Sequence, residues 1–368
     1  MAVRPVGVGV IGAGDISRRY ISCMQALPAF AVQPAAGRSA ARALLDDPTV
    51  ELVLNLTPPL EHAAVTEAAL RAGKHVYSEK PLAHNLAAAD SLIALAHDTG
   101  RTLACAPAVH LGPAHQAVKR AIDTGALGRL VGGSATIVYA GPDRWHHNPA
   151  PIFGAAAGPL FDLGVYFVSA FVHWFGSVRR VSASGRRMQH TRQVQAGPRQ
   201  GTSFHVDALT HVVGWMEFEA GPVVSLTTSF DSPGSRASLI EIFGTEASLA
   251  LPAGADGFTA LPLCCRKHAE WAPLESTLTG WTEPWWAVGV VDAADALRGG
   301  RAARCPSAVA RHVLEVLTAL QESCESGGRV EILSRCQPPP ALCSGPIEAN
   351  FPALFADAVS IDSTGPTP

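Results

Sequence analysis

Short apolar segments alternate with longer amphipathic ones in the first third of this sequence, and this alternation restricts the possible fold more than any other feature. The first apolar segment, Val-Gly-Val-Gly-Val-Ile at 6–11, is rich in β-branched residues and predicts a buried strand. Further strands are expected at 30–36, 51–56, 74–77 and 101–106, with helices at 15–27, 38–46, 61–72 and 86–99. Strands separated by helices of this length form a parallel, doubly wound sheet. The sequence therefore predicts an α/β domain over residues 1–125.

The pattern changes after Gly125. A strand is expected at 130–140 and a helix at 160–175, followed by strand-like runs at 204–218, 222–230 and 236–243 and a late helix at 307–323. Strands that follow one another through short glycine- and proline-rich turns form antiparallel sheets. We therefore expect a second α/β domain over residues 126–362, with a large, mostly antiparallel sheet, and a loose tail at 363–368.

Composition limits the kinds of partner that this chain can bind. The chain has 368 residues, 48% of them hydrophobic and 16% charged, so two domains with sizeable cores are expected. The net charge is −3 without any basic run, which argues against nucleic-acid or anionic-membrane binding. We find neither an apolar run of membrane-spanning length nor the pattern of a signal peptide. The eight cysteines include no Cys-x-x-Cys pair, which favours a cytoplasmic protein without a metal site.

A glycine-rich turn follows the first predicted strand. The letters G-x-G-x-x-G match at 7–12, but that match lies inside the strand, where no ligand can dock. The segment Gly-Ala-Gly-Asp-Ile-Ser at 12–17 lies between strand and helix, where Gly12 permits the turn and Gly14 permits close approach of a pyrophosphate. Ser17 replaces the third glycine and is small enough for close helix packing. The turn predicts a dinucleotide site, and the alternative is a strand–turn–helix that binds no phosphate.

The adenosine end of that predicted site departs from the usual fingerprint. An acidic residue about 20 positions after the turn normally binds the ribose, but no Asp or Glu lies between Asp15 and Asp46. Arg38 and Ser39 follow the second predicted strand instead. Arg38 suits the 2′-phosphate of NADP, or it is an ordinary arginine at the start of a helix. The sequence leaves NAD and NADP both open.

The pair Glu79-Lys80 ends another short apolar strand and is followed by Pro81. Ligands of parallel α/β sheets bind beyond the carboxyl ends of the strands. A lysine there can donate a proton or a hydrogen bond to a substrate oxygen. The alternative is an ordinary surface pair of charges in a loop.

Several longer segments together resemble one family. They are Gly-Val-Ile-Gly-Ala-Gly at 9–14, Asn-Leu-Thr-Pro-Pro at 55–59 with His62, Ala-Gly-Lys-His-Val-Tyr-Ser-Glu-Lys-Pro-Leu at 72–82, Gly-Pro-Leu-Phe-Asp-Leu-Gly-Val-Tyr at 158–166 and Ile-Phe-Gly-Thr-Glu-Ala at 242–247. In this order they resemble the glucose–fructose oxidoreductase, inositol dehydrogenase and rhizopine-catabolism family (Gfo/Idh/MocA) over nearly the whole chain. The resemblance implies a Rossmann domain followed by an α/β domain whose sheet often forms the oligomer interface. It also implies hydride transfer between a sugar-type alcohol carbon and a nicotinamide.

The resemblance assigns catalytic roles to three residues. Lys80 is expected to polarise the reacting oxygen, and Asp162 and Tyr166 match the acidic and the His-or-Tyr positions of the family's catalytic helix. Their spacing of four places them on one helical face. A phenol has a high ordinary pKa, so Tyr166 needs a nearby cation to act as a base. The alternative is that Asp162 complements the helix N-terminus while Tyr166 packs in the core.

The resemblance also defines the expected binding residues. The cofactor set is Gly12, Gly14, Asp15, Ile16, Arg38, Ser39, Thr57, Pro58, His62, Glu79 and Lys80. The substrate set is Trp145, His146 and His110, with Trp145 stacking on a sugar ring and His146 bonding hydroxyls. Metal binding by His146 and the adjacent His147 is not expected, because no carboxylate or cysteine with matching spacing accompanies them.

Two features differ from the family pattern. The segment between Gly12 and Asn55 is short by about one helix and one strand, the unit that follows the second strand. In the sheet order 3-2-1-4-5-6 that strand is an edge, so the fold is expected to survive its loss, although the adenosine half of the cofactor site lies beside it. Ala108 stands where close relatives place an aspartate.

These inferences lead to a functional prediction with two alternatives. The main prediction is an NAD- or NADP-dependent oxidoreductase acting on a sugar, cyclitol or sugar derivative, assembled as a homodimer or homotetramer. The first alternative is a non-redox member of the family, either a lyase or hydrolase with retained cofactor or a cofactor-independent enzyme. The second is a sugar-sensing protein without catalysis.

Overall fold

The computed structural model describes residues 4–35, 37–252, 261–280 and 285–355. The α-helices are α1 (Asp15–Gln25), α2 (Arg38–Asp46), α3 (His62–Arg71), α4 (Leu86–Asp98), α5 (Pro113–Asp123), α6 (Val165–Phe175), α7 (Trp285–Gly299) and α8 (Ser307–Ser326). The strands are β1 (Val6–Ile11), β2 (Phe30–Ala35), β3 (Leu52–Asn55), β4 (His75–Ser78), β5 (Leu103–Cys105), β6 (Leu130–Val138), β7 (Val178–Arg186), β8 (Thr191–Gln193), β9 (Ser203–His205), β10 (His211–Phe218), β11 (Val223–Ser229), β12 (Ile240–Gly244), β13 (Ala247–Leu251), β14 (Leu263–Arg266), β15 (Ala272–Pro273), β16 (Leu278–Thr279), β17 (Val330–Glu331) and β18 (Gly345–Pro346).

The chain forms two compact units that are not continuous in sequence. The first comprises Met1–Gln116, Ser276–Arg311 and Pro339–Pro368, and the second comprises Ala117–Glu275 and His312–Pro338. The predicted loose tail at 363–368 lies outside the described residues. Across the part of the chain that is described, no helix combines the length and hydropathy needed to cross a membrane.

The first unit is built on a parallel sheet with the strand order β2-β1-β3-β4-β5. Strands β1 and β3 are buried along their whole length, as expected for a sheet covered on both faces. The order equals 3-2-1-4-5-6 without its outermost strand, so the prediction of a Rossmann-type sheet shortened at one edge is confirmed. β2 is now the edge strand, which explains how it accommodates Pro34.

Residues from far along the chain complete this unit. Val290 and Val291 of α7 and the later Phe351 belong to the same buried core as Val8 and Leu54. Beside β5, the backbone N–H of Cys105 donates to the carbonyl of Cys305 over 3.0 Å, so an antiparallel segment covers the edge opposite β2. The sequence patterns did not predict α7 or this covering segment.

The second unit contains a larger sheet with the order β15-β14-β13-β12-β6-β11-β10-β7-β17. Its described pairings are antiparallel except for the parallel pair β6–β11, which confirms the prediction of a mostly antiparallel sheet. The prediction of one strand at 204–218 is wrong. The N–H groups of Asp207 and Ala208 both donate to the carbonyl of Phe153, which diverts the chain between β9 and β10. β9 pairs instead with β8 in a separate hairpin.

The two faces of this sheet differ. Buried residues alternate with exposed or half-buried ones along β10 and most of β11. Phe171 of α6 contacts Phe218 on the covered face, and a Cβ built on Gly133 lies 3.0 Å from the ring of Phe171. The predicted helix at 160–175 begins as a π-helical turn, Leu160–Gly164, before α6 continues it.

Candidate functional site

The turn after β1 has the geometry expected of a phosphate-binding loop. Gly12 has φ +118°, and a Cβ built on it lies 2.4 Å from the carbonyl oxygen of Leu56, so no other residue fits. Gly14 precedes α1, and a Cβ on Gly14 meets no atom within 4 Å. Ser17 is buried against the turn and donates from Oγ to the Gly14 carbonyl over 2.6 Å. The turn therefore leaves open space in front of the helix N-terminus, where backbone N–H groups favour an anion.

The remaining residues around this turn are less constrained. Asp15 is exposed in the first turn of α1, and Ile16 packs partly against the core. Gly37, with φ +85°, leads from β2 into α2, where Ser39 is exposed. The side chain of Arg38 lies outside the described part of the chain, so its predicted contact with a 2′-phosphate stays a prediction.

The loop after β3 is shaped by Asn55, whose side chain is fully buried. Its Oδ1 accepts from the N–H of Thr57 over 3.2 Å and from the Thr57 hydroxyl over 2.7 Å. Its Nδ2 donates to the carbonyl of His62 over 3.0 Å and to the hydroxyl of Thr66 over 3.1 Å. Asn55 therefore fixes the start of the Thr-Pro-Pro segment, including Pro58, at the carboxyl edge of the sheet.

His62 joins this loop to the one after β4. Its Nε2 lies 2.7 Å from the carbonyl oxygen of Thr57, and its Nδ1 lies 2.7 Å from that of Pro81. A carbonyl oxygen only accepts, so whichever ring nitrogen carries a proton donates to the carbonyl beside it. The ring is 1% exposed. His62 thus connects the Thr57 and Lys80 loops, and it presents no ring nitrogen to a cofactor.

Glu79 is likewise turned into the protein. Its Oε1 accepts from the hydroxyl of Tyr20 over 2.8 Å, and its Oε2 accepts from the backbone N–H of Lys80 over 3.0 Å. Because Tyr20 belongs to α1, this contact couples the helix of the glycine turn to the Lys80 loop. Lys80 itself is half-buried at the carboxyl end of β4. The structure brings the glycine turn, the Thr57 loop and Lys80 to the same edge of one sheet.

His110 follows β5 in a short 3₁₀ turn and is only 3% exposed. Its Nε2 donates to the carbonyl of Arg304 over 2.8 Å. Burial lowers the pKa of His110 to about 3, so the ring is neutral at physiological pH. This position favours a structural role, and substrate contact by His110 stays a prediction.

In the second unit, Asp162 and Tyr166 lie at the beginning of the helical segment. Asp162 is half-buried in the π-helical turn, and Tyr166 is 8% exposed in the first turn of α6. A π-helical turn is wider than an α-helical one, so the expected α-helical spacing between the two is changed. Such turns are frequent at functional sites. A Cβ built on Gly164 lies 3.5 Å from Thr228, so the segment packs closely on the sheet.

A loop after β6 presents the predicted substrate residues. Trp145 is 64% exposed and contacts His146 edge-on, with the ring centroids 5.5 Å apart. The Nδ1 of His146 accepts from the N–H of Asn148 over 3.0 Å, which leaves Nε2 as the protonated nitrogen of a neutral ring. His147 stacks on His146 with the centroids 4.9 Å apart. An exposed tryptophan beside a donor histidine suits the recognition of a polar ring.

Sequence reasoning missed two residues that hold these loops. Tyr20 occupies an apolar position of α1, and its hydroxyl contact with Glu79 depends on the tertiary fold. Arg192 belongs to none of the motifs described above, yet it is buried between the carboxylates of Asp143 and Asp231, next to the loop that carries Trp145. No local sequence pattern distinguishes Tyr20 from an ordinary helix residue or Arg192 from an ordinary surface residue.

Comparison with known proteins agrees with this geometry. Residues 6–106 match the model of an oxidoreductase family with an NAD-binding Rossmann fold, and residues 115–250 match the GFO/IDH/MocA C-terminal domain. A relative from Streptomyces violaceoruber, dTDP-3,4-didehydro-2,6-dideoxy-alpha-D-glucose 3-reductase, is 31% identical over 275 residues, covering 65% of this chain and 78% of the relative. The 1,5-anhydro-D-fructose reductase of Ensifer adhaerens is 26% identical over 264 residues, covering 66% and 74% respectively.

A solved structure also resembles the fold. Levoglucosan dehydrogenase in complex with NADH and L-sorbose matches with a TM-score of 0.77 at 20% identity, covering 90% of this chain and 100% of that one. The two sheets and the glycine turn, together with the family match over residues 6–106, define a two-unit oxidoreductase with an NAD-binding fold. The chain belongs to the Gfo/Idh/MocA family.

Proposed function

We propose that this protein transfers a hydride between a nicotinamide cofactor, NAD or NADP, and a hydroxyl or keto carbon of a sugar, cyclitol or sugar derivative. The observation that carries the proposal is the turn at Gly12 and Gly14, which leaves space for a pyrophosphate at the N-terminus of α1. The substrate class is supported by the relatives, which are named for a deoxysugar and an anhydrosugar.

The proposal assigns the cofactor to the first unit. Gly12 and Gly14 would hold the pyrophosphate, while Thr57, Pro58 and Lys80 lie along the edge where a nicotinamide would bind. His62 and Glu79 hold those loops in position through their bonds to Pro81 and Lys80. When bound, the nicotinamide supplies the hydride acceptor for oxidation or the donor for reduction. Without an acid after β2, the sequence lacks the usual feature that selects NAD over NADP.

Side chains of the protein accept the proton of the substrate hydroxyl and stabilise the charge on the reacting oxygen. The Lys80 ammonium donates a hydrogen bond to the reacting oxygen and stabilises its negative charge as the C–H bond breaks. Oxidation releases the hydroxyl proton, and we assign its acceptance to Tyr166 as the phenolate, with Asp162 as the acidic partner on the same segment. Trp145 and His146 bind the ring and hydroxyls of the substrate. The products of oxidation are a ketone, a reduced nicotinamide and one proton.

The deciding experiment is calorimetric titration of the purified chain with NAD⁺, NADH, NADP⁺ and NADPH, followed by a screen of sugars and cyclitols at 340 nm. We expect micromolar binding of at least one redox pair, and turnover that Lys80→Ala reduces by about 10²-fold or more. Turnover that survives Lys80→Ala would remove the assignment of that residue. Failure of every dinucleotide to bind, with none released on denaturation, would contradict the proposed function.

We also infer that the chain assembles as a homodimer or homotetramer through the open face of its large sheet. Val213, Val223 and Phe243 are exposed on that face. Val213 pairs with Thr227 of β11, which lies four residues after Val223 and therefore on the same face. Val223 and Phe243 both pair with Gly132 of β6, so the side chains of Val213, Val223 and Phe243 point to the same side. An exposed apolar surface of this kind is typical of a protein interface.

A further inference from the structure

The hairpin formed by β8 and β9 lies beside residues 141–148, which we call the Trp145 loop. We propose that this hairpin is a bracket that holds the Trp145 loop in a fixed conformation for substrate binding, and that Arg192 is its main positioning residue. The inference rests on the proposed function, because that function makes the Trp145 loop a substrate-binding segment. None of the sequence motifs described above includes Arg192 or the hairpin.

Arg192 joins three segments of the second unit. Its Nη1 donates to the carbonyl of Ala140 over 3.2 Å and to Oδ1 of Asp143 over 2.7 Å. Its Nη2 donates to the carbonyl of Phe230 over 2.7 Å and to Oδ1 of Asp231 over 2.7 Å. The side chains of Arg192 and Asp143 are 7% and 3% exposed, so water screens their attraction little. One guanidinium thus fixes the loop to the hairpin and to the end of β11.

The carboxylate of Asp143 is held from its other side as well. Its Oδ2 accepts from Nε2 of Gln195 over 3.2 Å, and its backbone carbonyl accepts from the Gln195 N–H over 2.8 Å. Gly141 has φ +98°, and a Cβ built on it lies 2.5 Å from both Nη1 of Arg192 and Oδ1 of Asp143. The loop therefore needs glycine at 141, because a side chain there would overlap the bond that Arg192 makes to Asp143. We call the bonds of Arg192 to Asp143 and Asp231 the Arg192 clamp.

The hairpin contacts the far end of the loop as well. A Cβ built on Gly197 lies 3.0 Å from Cβ of His147. Nη1 of Arg199 donates to Oδ1 of Asn148 over 2.6 Å. The bracket thus touches the Trp145 loop on both sides of Trp145 and His146, while Trp145 itself remains exposed.

A small apolar core packs against both the hairpin and the segment after the Trp145 loop. It contains Phe153, Val194, Phe204, Val206 and Phe230, so the hairpin, the chain after the loop and the end of β11 are packed together. The guanidinium of Arg192 lies 5.1 Å above the ring of Phe153. Leu163, the neighbour of Asp162, packs on the same core. The bracket is therefore continuous with the beginning of the candidate catalytic segment.

A loop ordered before substrate arrives lowers the entropy lost on binding. Trp145 and His146 need a defined orientation to stack on a ring and to donate to a hydroxyl. Loss of the bracket should consequently weaken substrate binding, while the groups of the first unit and their affinity for a dinucleotide are unchanged.

The test compares Arg192→Gln with Arg180→Gln. Arg180 forms an ion pair with Glu217 over 2.6 Å in the same unit, away from the Trp145 loop, and serves as the matched control. We expect Arg192→Gln to speed hydrogen–deuterium exchange of a 141–148 peptide by about tenfold, and to raise the substrate KM about tenfold with kcat changed less than about threefold. Dinucleotide affinity should stay unchanged, and Arg180→Gln should alter none of these quantities.

Two further variants distinguish loss of the bracket from general misfolding of Arg192→Gln. Arg192→Lys keeps the charge but loses the forked geometry, so exchange and KM should fall between those of the wild type and Arg192→Gln. Gly141→Ala disturbs the clamp from the loop side without removing a charge, and it should speed exchange in the same peptide. Unchanged exchange in Arg192→Gln would overturn the bracket, and faster exchange with an unchanged KM would overturn its role in binding. Exchange is measured without turnover, so failure of the proposed function is recognised separately.

Discussion

At the scale of single residues, Gly12 and Gly14 are both required but for different reasons. Gly12→Ala combines a positive φ with a contact of 2.4 Å to a backbone oxygen, so we expect it to lower the free energy of unfolding by about 2–4 kcal/mol. Gly14→Ala meets no atom within 4 Å and has an ordinary φ of −76°, so stability should change by less than about 1 kcal/mol. Its methyl group would instead occupy the space in which the proposed function places the pyrophosphate.

Urea denaturation and calorimetric titration separate these two effects. Gly14→Ala should retain the wild-type unfolding midpoint and bind NAD⁺ or NADP⁺ at least about tenfold more weakly. A Gly14→Ala variant that binds dinucleotide normally would show that the open space beside Gly14 is not the phosphate site. A Gly12→Ala variant as stable as the wild type would contradict the steric argument.

His110 gives the stability of the chain a predictable dependence on pH. Its pKa in the folded chain is about 3 because of burial, whereas an unfolded histidine titrates near 6.5. Between these values the unfolded chain binds more protons, so stability is present above about pH 6.5 and is lost as the pH falls toward 3. From pH 7 to pH 5 this linkage amounts to about 2 kcal/mol.

The variant His110→Gln removes the titrating group while its amide can still donate to the carbonyl of Arg304. Urea unfolding at pH 7 and pH 5 should show a loss of stability about 2 kcal/mol smaller in the variant than in the wild type. His97 is exposed on α4, so His97→Gln is the control and should follow the wild type. Equal losses in the wild type and His110→Gln would exclude His110 as the source of the pH dependence.

At the scale of elements, burial explains which parts were predictable. β1 and β3 are buried on both faces, so their unbroken apolar runs are read directly from the sequence. β8 and β9 are short and polar, and they exist because a small core and the Arg192 clamp support them. An apolar pattern at 160–175 predicts a helix but does not distinguish a π-helical turn from an α-helical one.

The same reasoning applies to the candidate sites. The glycine turn and Lys80 occur in local motifs that directly follow strands, so the sequence could place both at the carboxyl edge of the sheet. The inward orientation of His62, Glu79 and His110 was not predictable from local patterns. Each has a partner 19, 59 or 194 residues away, and the nearer partners of His62 and Glu79 depend on loop conformation. A motif identifies a residue as important, and the fold determines whether it contacts a ligand or another loop.

Two buried carboxylates of α7, Asp292 and Asp295, bind arginines of the segment that follows this helix. Asp292 of α7 has no exposed surface, and its Oδ1 accepts from Nη2 of Arg301 and from Nη1 of Arg304, each over 2.8 Å. These bonds hold the chain that covers β5 and that supplies the carbonyl bonded to His110. Asp292→Asn should lower the free energy of unfolding by about 3 kcal/mol, because Arg304 loses its carboxylate partner and Arg301 is left with Asp295.

Chemical denaturation checks this prediction against an exposed pair. Glu67 and Arg71 lie on the surface of α3 with a separation of 2.9 Å, so Glu67→Gln should change stability by less than about 1 kcal/mol. If Asp292→Asn is as mild as Glu67→Gln, the Asp292 network does not hold the covering segment.

At the scale of the whole molecule, neither compact unit corresponds to one continuous stretch of sequence. The core of the first unit combines Val8 and Leu54 with Val290 of α7 and with Phe351 near the end of the described chain. Local patterns identify the strands of the parallel sheet, but they do not reveal which distant helix completes its core. The order of elements along the chain is therefore a better guide to the sheet than to the extent of a unit.

The open face of the large sheet makes a prediction about assembly. On this face Val213 and Val223 are 44% and 47% exposed, and the half-buried Trp215 lies between them opposite Ser225, so the surface offered to a second sheet is largely apolar. Replacing both valines by glutamate places unpaired charges in the proposed interface, and desolvation of such charges costs several kcal/mol. We expect sedimentation velocity at micromolar concentration to show a dimer or tetramer for the wild type and a monomer for Val213→Glu/Val223→Glu. Leu333→Glu is the control, since Leu333 is 85% exposed beyond the end of β17, and it should sediment like the wild type. A monomeric wild type, or a double variant that still assembles, would mean that this face is not the interface.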